Sequence, residues 1–99
     1  MARFRFSRRA EADLLSIGAY TLKTWGVEQT IRYVADLQTS CQTLADNPEA
    51  GRVCDDIRSG LRRMEHGRHV IFYRPDAEGI LIARVLHQRM LPRRYTIEE

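Results

Sequence analysis

The sequence predicts an α+β fold in which a helical hairpin covers one face of a mostly antiparallel sheet. Residues 61–90 divide into three short strands, two long amphipathic segments precede them, and a short alternating segment opens the chain. The predicted order is therefore β-αα-βββ, because an apolar sheet face has to be covered by another layer. With 99 residues, the chain has the length of a single domain, which we expect to span residues 1–99.

Two turns divide the stretch of three strands. His-Gly-Arg at 66–68 ends the first strand, and a Pro-Asp-Ala-Glu-Gly run at 75–79 ends the second. Residues 70–73 and 80–83 between and after them are β-branched, aromatic or aliphatic, as strand residues usually are. A short apolar run can also be a buried helical segment, but these Gly and Pro breaks leave no room for a helix. The histidine-bearing stretch 66–69 is interpreted as a polar hairpin turn.

The first half of the chain supplies the predicted cover. Residues 3–7 alternate polar and apolar and predict a strand that joins the sheet, because a lone strand is unstable in water. Helices are predicted over 8–24, with Ser7 as N-cap, and over 28–46, with a short connection that makes them antiparallel. Residues 49–60 are predicted as a loop. The apolar stripes contain Ala10, Leu14, Ile17 and Thr21 in the first helix, flanked by Leu22 and Trp25, and Ile31, Val34, Leu37, Cys41 and Leu44 in the second.

Positive charge is concentrated in the second half. Residues 1–50 carry six basic and six acidic side chains, whereas residues 58–94 carry nine arginines and three acidic residues. Fifteen of the sixteen basic residues are Arg, whose planar fork suits carboxylates and phosphates. Genomic base composition would explain the preference for Arg over Lys, but not the clustering. The clustering indicates an anionic partner, either a nucleic acid or an acidic protein.

Several classes of function find no support. No apolar run is long enough to span a membrane, and the N-terminus lacks the apolar core of a signal peptide, so we expect a cytoplasmic protein. Two cysteines do not make a disulfide framework: Cys41 lies on a helical stripe, and Cys54 adjoins Asp55 and Asp56, which raise a thiol pKa. No Gly-rich phosphate loop, metal-ligand set or catalytic motif is present, so we expect no cofactor, metal or catalytic residue.

Arg84 stands out within the last strand. Simple alternation puts it on an apolar face, where an unpaired charge is costly. One interpretation is a structural ion pair with an acidic residue of the 49–56 loop. The other is contact with an anion, made together with His87, Arg89 and the arginines at 93–94. The predicted apolar row contains Ile80, Ile82, Arg84 and Leu86.

Taken in order, several segments resemble the ParE toxins of bacterial toxin–antitoxin systems, from about residue 4 to residue 90. They are Trp-Gly at 25–26, LADNPEAGR at 44–52, IRSGLRR at 57–63, HVIFYR at 69–74 and RVLHQRM at 84–90. The resemblance implies a RelE/ParE fold and a type II toxin that poisons DNA gyrase without catalysis. It also implies neutralisation by a ParD-type antitoxin in a hetero-oligomer, with operator DNA bound only through the antitoxin.

The related RelE-type toxins are ribosome-dependent mRNA endoribonucleases that use a Lys and Arg cluster with a C-terminal Tyr or His. Here Lys23 is the only lysine, and it lies in the helical hairpin. A ribonuclease would have to use Arg84, His87 and Tyr95 instead. This departure favours the gyrase poison and leaves the ribonuclease as the alternative, with an inert toxin kept for regulation as a third interpretation.

Candidate binding residues follow from the charge pattern and the resemblance. For the target we expect the basic residues of the late sheet and tail: Arg58, Arg62, Arg63, Arg84, His87, Arg89, Arg93 and Arg94. An amphipathic antitoxin helix would dock in an apolar groove between the helical hairpin and the sheet, with contacts from Leu14, Ile17, Tyr20 and Trp25, and the sheet edge could accept an added strand. Tyr20 is the strongest of these, because it lies off the apolar stripe. Residues 91–99 show no pattern, and we expect them to form a tail.

Overall fold

Two helices pack on one face of a five-stranded sheet whose strand order is β1-β5-β4-β3-β2. The computed structural model describes residues 2–90, 95 and 97. β1 pairs in parallel with β5, and the other neighbours are antiparallel. The predicted β-αα-βββ order is confirmed, with one short strand, β2, added inside the predicted loop. The elements are β1 Arg3–Phe6, α1 Arg8–Trp25, α2 Val27–Asp46, a 3₁₀ turn Pro48–Ala50, β2 Arg52–Val53, β3 Arg62–His66, β4 His69–Asp76 and β5 Gly79–His87.

Local signals set the ends of the helices. The Ser7 hydroxyl accepts the N–H of Ala10 at 3.0 Å, as an N-cap does, and donates to the carbonyl of Ala83 in β5 at 2.7 Å. The same residue therefore starts α1 and ties it to the sheet. Gly26 separates the helices with φ of +91°, a backbone conformation that favours glycine, and its N–H caps the carbonyl of Leu22 at 3.0 Å.

Both faces of the sheet are buried. Neighbouring residues of the central strand, Ile71 and Phe72, belong to two different hydrophobic clusters, as strand alternation requires. The helix-covered face packs against α1 and α2 through Ile17, Leu37, Cys41, Leu44, Ile80, Ile82 and Val85. The loop-covered face packs against irregular chain through Cys54, Leu61, Val70, Ala83, Leu86 and Ile97. Tyr95 adjoins this second cluster, so both described residues of the expected tail contribute to it.

A bulge in β5 overturns the predicted face of Arg84. Phe72 pairs with Arg84, but the next residue of β4 pairs with Ile82, so Ala83 is an extra residue in β5. Beyond the bulge Val85 lies on the helix-covered face. The predicted row is therefore wrong, since an inserted residue shifts the alternation by one: Ile80, Ile82, Arg84 and Leu86 do not share a face.

The helical stripes are largely as predicted, with one error. Ile17 and Thr21 of α1 are buried, and Leu14 is half-buried against the core. In α2 the fully buried residues begin at Leu37, whereas Ile31 is 64% exposed. The prediction for Ile31 is wrong because the first turns of α2 lie outside the core.

Candidate functional site

Arg84 forms a buried ion pair with α1. Its Nε and Nη2 donate to the two carboxylate oxygens of Asp13, each at 2.8 Å, and the backbone N–H of Val85 donates to the same carboxylate at 2.9 Å. The hydrogen bonds that Arg84 donates to Asp13 raise the pKa of its guanidinium. Of the two sequence interpretations the structure shows the ion pair, but the acidic partner comes from α1 rather than from the 49–56 loop.

Arg84, His87 and Tyr95 do not form one group. The Arg84 guanidinium lies 5.8 Å from the centre of the Tyr95 ring, a cation–π distance. His87, the last residue of β5, instead packs edge-on against the ring of His69, with 5.5 Å between ring centres. The side chains that a ribonuclease would require are therefore divided between two places.

A tyrosine–histidine cluster holds α2 against the turn between β3 and β4. The Tyr33 hydroxyl donates to the backbone carbonyl of His66 at 3.2 Å and is hydrogen-bonded to Nδ1 of His69, while Ser40 contacts Nδ1 of His66 at 2.8 Å. Burial raises the pKa of Tyr33. Burial, with His87 and His66 nearby, lowers the pKa of His69. The predicted polar turn is confirmed, with Gly67 at φ +58°, but no sequence pattern indicated the contact with Tyr33.

Besides Arg84, two further predicted target-binding arginines have hydrogen-bonded partners within the fold. Arg62 Nη1 donates to the backbone carbonyl of Gly51 at 2.7 Å and thereby supports the 3₁₀ turn. Arg63 donates to Glu65 at 3.1 Å, and its guanidinium lies 5.6 Å from the centre of the Phe72 ring. Both side chains have structural contacts on β3 in addition to any binding role.

The other predicted residues are spread over the molecule. Ile17 is buried, Tyr20 and Trp25 are 66% and 63% exposed, and Arg58 is exposed. The two arginines at 93–94 lie outside the described residues. Other exposed apolar side chains also lie on the hairpin. Ile31 and Leu22 were predicted on or beside the apolar stripes, whereas Leu15 and Val27 were not singled out by the sequence.

One pocket brings together residues that the sequence assigned to different partners. A cavity of about 360 Å³ lies between α1, the β3–β4 turn and the end of β5. Tyr20, a candidate antitoxin contact, lines it beside His87 and Arg89, two candidate target contacts. The described residues that line it are Tyr20, Arg68, His87, Gln88 and Arg89. The spacing of residues along the sequence could not predict this pocket, because its walls come from three separate segments of the chain.

Thiol and metal chemistry receive no support from the described part of the chain. Burial raises the pKa of Cys41 to about 12 and is also the main cause of the raised pKa of Cys54, ahead of its neighbours Asp56 and Asp55. Among residues 2–90, 95 and 97, no group of three or more His, Cys, Asp or Glu side chains could hold a metal ion. Over the same residues, no helix has both the length and the apolar character needed to cross a membrane.

Comparison with known proteins agrees with this architecture. The family model described as the ParE toxin of type II toxin–antitoxin system, parDE, matches residues 4–92. Toxin ParE1 of Mycobacterium tuberculosis strain H37Rv is 43% identical over 90 residues, which cover 90% of this chain and 92% of that protein. Toxin ParE1 of Caulobacter vibrioides is also 43% identical over 90 residues (91% and 93%), and Toxin ParE of Escherichia coli is 33% identical over 91 residues (91% and 88%).

The fold has a solved counterpart. A structure titled "Chromosomal ParDE TA system from P. aeruginosa" superimposes with a TM-score of 0.72 and 25% identity, covering 88% of this chain and 96% of that chain. The helical hairpin on a mostly antiparallel sheet is thus the RelE/ParE-like architecture that the sequence predicted. With the family match over residues 4–92, the chain belongs to the ParE toxins of type II toxin–antitoxin systems.

Proposed function

We propose that this chain is a cytoplasmic toxin that poisons DNA gyrase by binding it, without catalysis, and that a ParD-type antitoxin neutralises it. The observation that carries the proposal is the match to toxins named ParE over about nine tenths of the chain. The solved counterpart is titled a ParDE system, which supports an antitoxin partner. The assembly would be a hetero-oligomer that binds operator DNA only through the antitoxin.

The contacts of Arg84 favour a structural role for this residue over a catalytic one. Its guanidinium is held by Asp13 and lies over Tyr95, so it serves the fold. A general base must lie within hydrogen-bond reach of the group it deprotonates. His87, which the ribonuclease alternative would use as base, packs instead against His69.

The proposed gyrase surface consists of the basic residues at the end of the sheet and in the tail. Arg62, Arg63 and Arg84 have hydrogen-bonded partners within the fold, and Arg58 also has an interaction within it. Five candidates are proposed to present charge to a carboxylate-bearing target surface, since arginine forks bind carboxylates in pairs of hydrogen bonds. They are Arg58, His87, Arg89, Arg93 and Arg94.

A supercoiling assay with purified gyrase and relaxed plasmid tests this function. The toxin, freed from its antitoxin, should abolish supercoiling and cause cleaved plasmid to accumulate, and prior addition of the ParD-type antitoxin should restore supercoiling. Arg89→Ala should weaken the effect, whereas Arg32→Ala, an exposed arginine of α2, should leave it unchanged. Normal supercoiling in the presence of a folded toxin would contradict the proposal, and cleavage of ribosome-bound mRNA by that toxin would favour the ribonuclease instead.

A further inference from the structure

The pocket at the end of β5 has walls that hydrogen bonds hold in place. The backbone N–H of Gln88 donates to the carbonyl of Arg68 at 2.8 Å, which joins the segment after β5 to the β3–β4 turn. The backbone N–H of Arg89 donates to Nδ1 of His87 at 3.1 Å. That bond leaves the ring proton of a neutral His87 on Nε2, where it can be donated. Tyr20 of α1 supplies the facing wall.

The charges around this pocket are unbalanced. Among the described residues no carboxylate lines it, whereas Arg68 and Arg89 both do. Neither of these two arginines forms an ion pair with another described residue, in contrast to Arg63 with Glu65 and Arg84 with Asp13. Two guanidinium groups and an imidazole N–H around one cavity, with no counterion in the part of the chain that the structure describes, favour an anionic ligand.

The wall formed by α1 favours a peptide over a nucleic acid. Proteins that bind the phosphate backbone use several basic side chains along its path. The second half of α1 carries one basic residue, Lys23, and displays exposed apolar side chains instead, including Tyr20 and Leu22. An acidic side chain flanked by apolar ones, as on an amphipathic peptide, matches this combination of charge and apolar surface.

We propose that this pocket binds an aspartate or glutamate side chain of the antitoxin, with Tyr20 packing against the apolar residue beside it. The inference rests on the proposed function and adds a specific anchor to it. Because His87 and Arg89 also belong to the proposed gyrase surface, the bound antitoxin covers them. Neutralisation then follows from exclusion of the target.

Two double variants with equal charge test the anchor. Arg68→Gln with Arg89→Gln removes two positive charges from the pocket, and Arg8→Gln with Arg32→Gln removes two from elsewhere on the exposed surface. Long-range attraction of an acidic antitoxin falls equally in both. In calorimetric titration with the ParD-type antitoxin, the pocket variant should lose roughly tenfold or more in affinity, and the control less than about threefold.

A double-mutant cycle identifies the bound side chain. Acidic residues of the antitoxin are replaced one at a time by Asn or Gln, and one replacement should weaken binding to the wild-type toxin but not to the pocket variant. Equal losses of affinity for the two double variants would overturn the anchor while leaving antitoxin binding intact. Failure of the wild-type chain to bind the antitoxin would overturn the proposed partner as well. Loss of binding to a DNA duplex, with unchanged antitoxin affinity, would assign the pocket to nucleic acid and also overturn the anchor.

Discussion

The two faces of the sheet are buried to a similar degree but are covered by different kinds of structure. On the helix-covered face Leu37 and Leu44 come from one continuous helix, which places several apolar residues at a regular spacing. On the loop-covered face Leu61 and Ile97 come from irregular segments far apart in the chain. A helix that covers a sheet can therefore be predicted from the periodic spacing of its apolar residues, whereas a cover made of single residues from several loops cannot be predicted from the sequence.

Arg84 connects the two covers. Its partner Asp13 belongs to α1, above the helix-covered face, and the ring of Tyr95 adjoins the loop-covered cluster. The carboxylate of Asp13 also accepts the N–H of Val85, at the part of β5 that extends beyond its pairing with β1. Asp13 therefore both accepts a hydrogen bond from the edge of β5 and neutralises the buried arginine.

The largest expected effect compares the same substitution under the two covers. Leu44→Ala should lower the free energy of unfolding by about 4 kcal/mol and Leu61→Ala by about 2 kcal/mol, because a loop can relax into a cavity more readily than a helix can. Both side chains are essentially inaccessible to solvent, so the removed area is similar. Urea denaturation followed by circular dichroism measures both losses. Equal losses would show that the loop is as rigid as the helix.

The next effect tests the connection between the covers. Asp13→Ala should lower the free energy of unfolding by about 3 kcal/mol, because Arg84 keeps its buried charge and loses its counterion. The double variant Asp13→Leu with Arg84→Met should recover most of this loss, since apolar replacement of a buried ion pair is often neutral. The urea midpoints of the wild-type protein, the single variant and the double variant measure the loss of stability and its recovery. A loss below about 1 kcal/mol for Asp13→Ala would show that water replaces the carboxylate.

The smallest effect concerns the polar end of the helix-covered face. The folded pKa of His69 is lowered by burial and by His87 and His66, so the folded state favours the neutral ring. The contribution of His69 is complete above its unfolded pKa of about 6.5 and declines as the pH falls below it toward the folded value, because the unfolded chain then binds the proton more strongly.

Urea midpoints measured between about pH 8 and about pH 5 should reveal this dependence as a decline toward low pH. His69→Gln should flatten the decline, whereas His87→Gln, which leaves the buried ring in place, should retain most of it. An unchanged slope in His69→Gln would assign the pH dependence to another group.

Regular elements were predictable because their signals are local. The Ser7 cap, the connection at Gly26 and the Pro48 stop placed both helices to within one residue of their observed ends. The two-residue strand β2 was missed, since a short pairing with β3 needs no periodic pattern. The stripe of α2 was extended too far, to Ile31, because periodicity does not say where the sheet beneath a helix ends.

The candidate site, like the fold, has features that the sequence predicted and features that it did not. By itself the sequence determined that positive charge gathers in the second half. It also predicted that Arg84, within an apolar strand, needs either an internal partner or a bound anion, because a buried unpaired charge is costly. Only the tertiary structure decided that this partner is Asp13 and that Tyr20 meets His87 and Arg89 in one pocket. The bulge at Ala83 and the packing of α1 bring residues about seventy positions apart into contact, and such distances are set by the fold rather than by spacing along the chain.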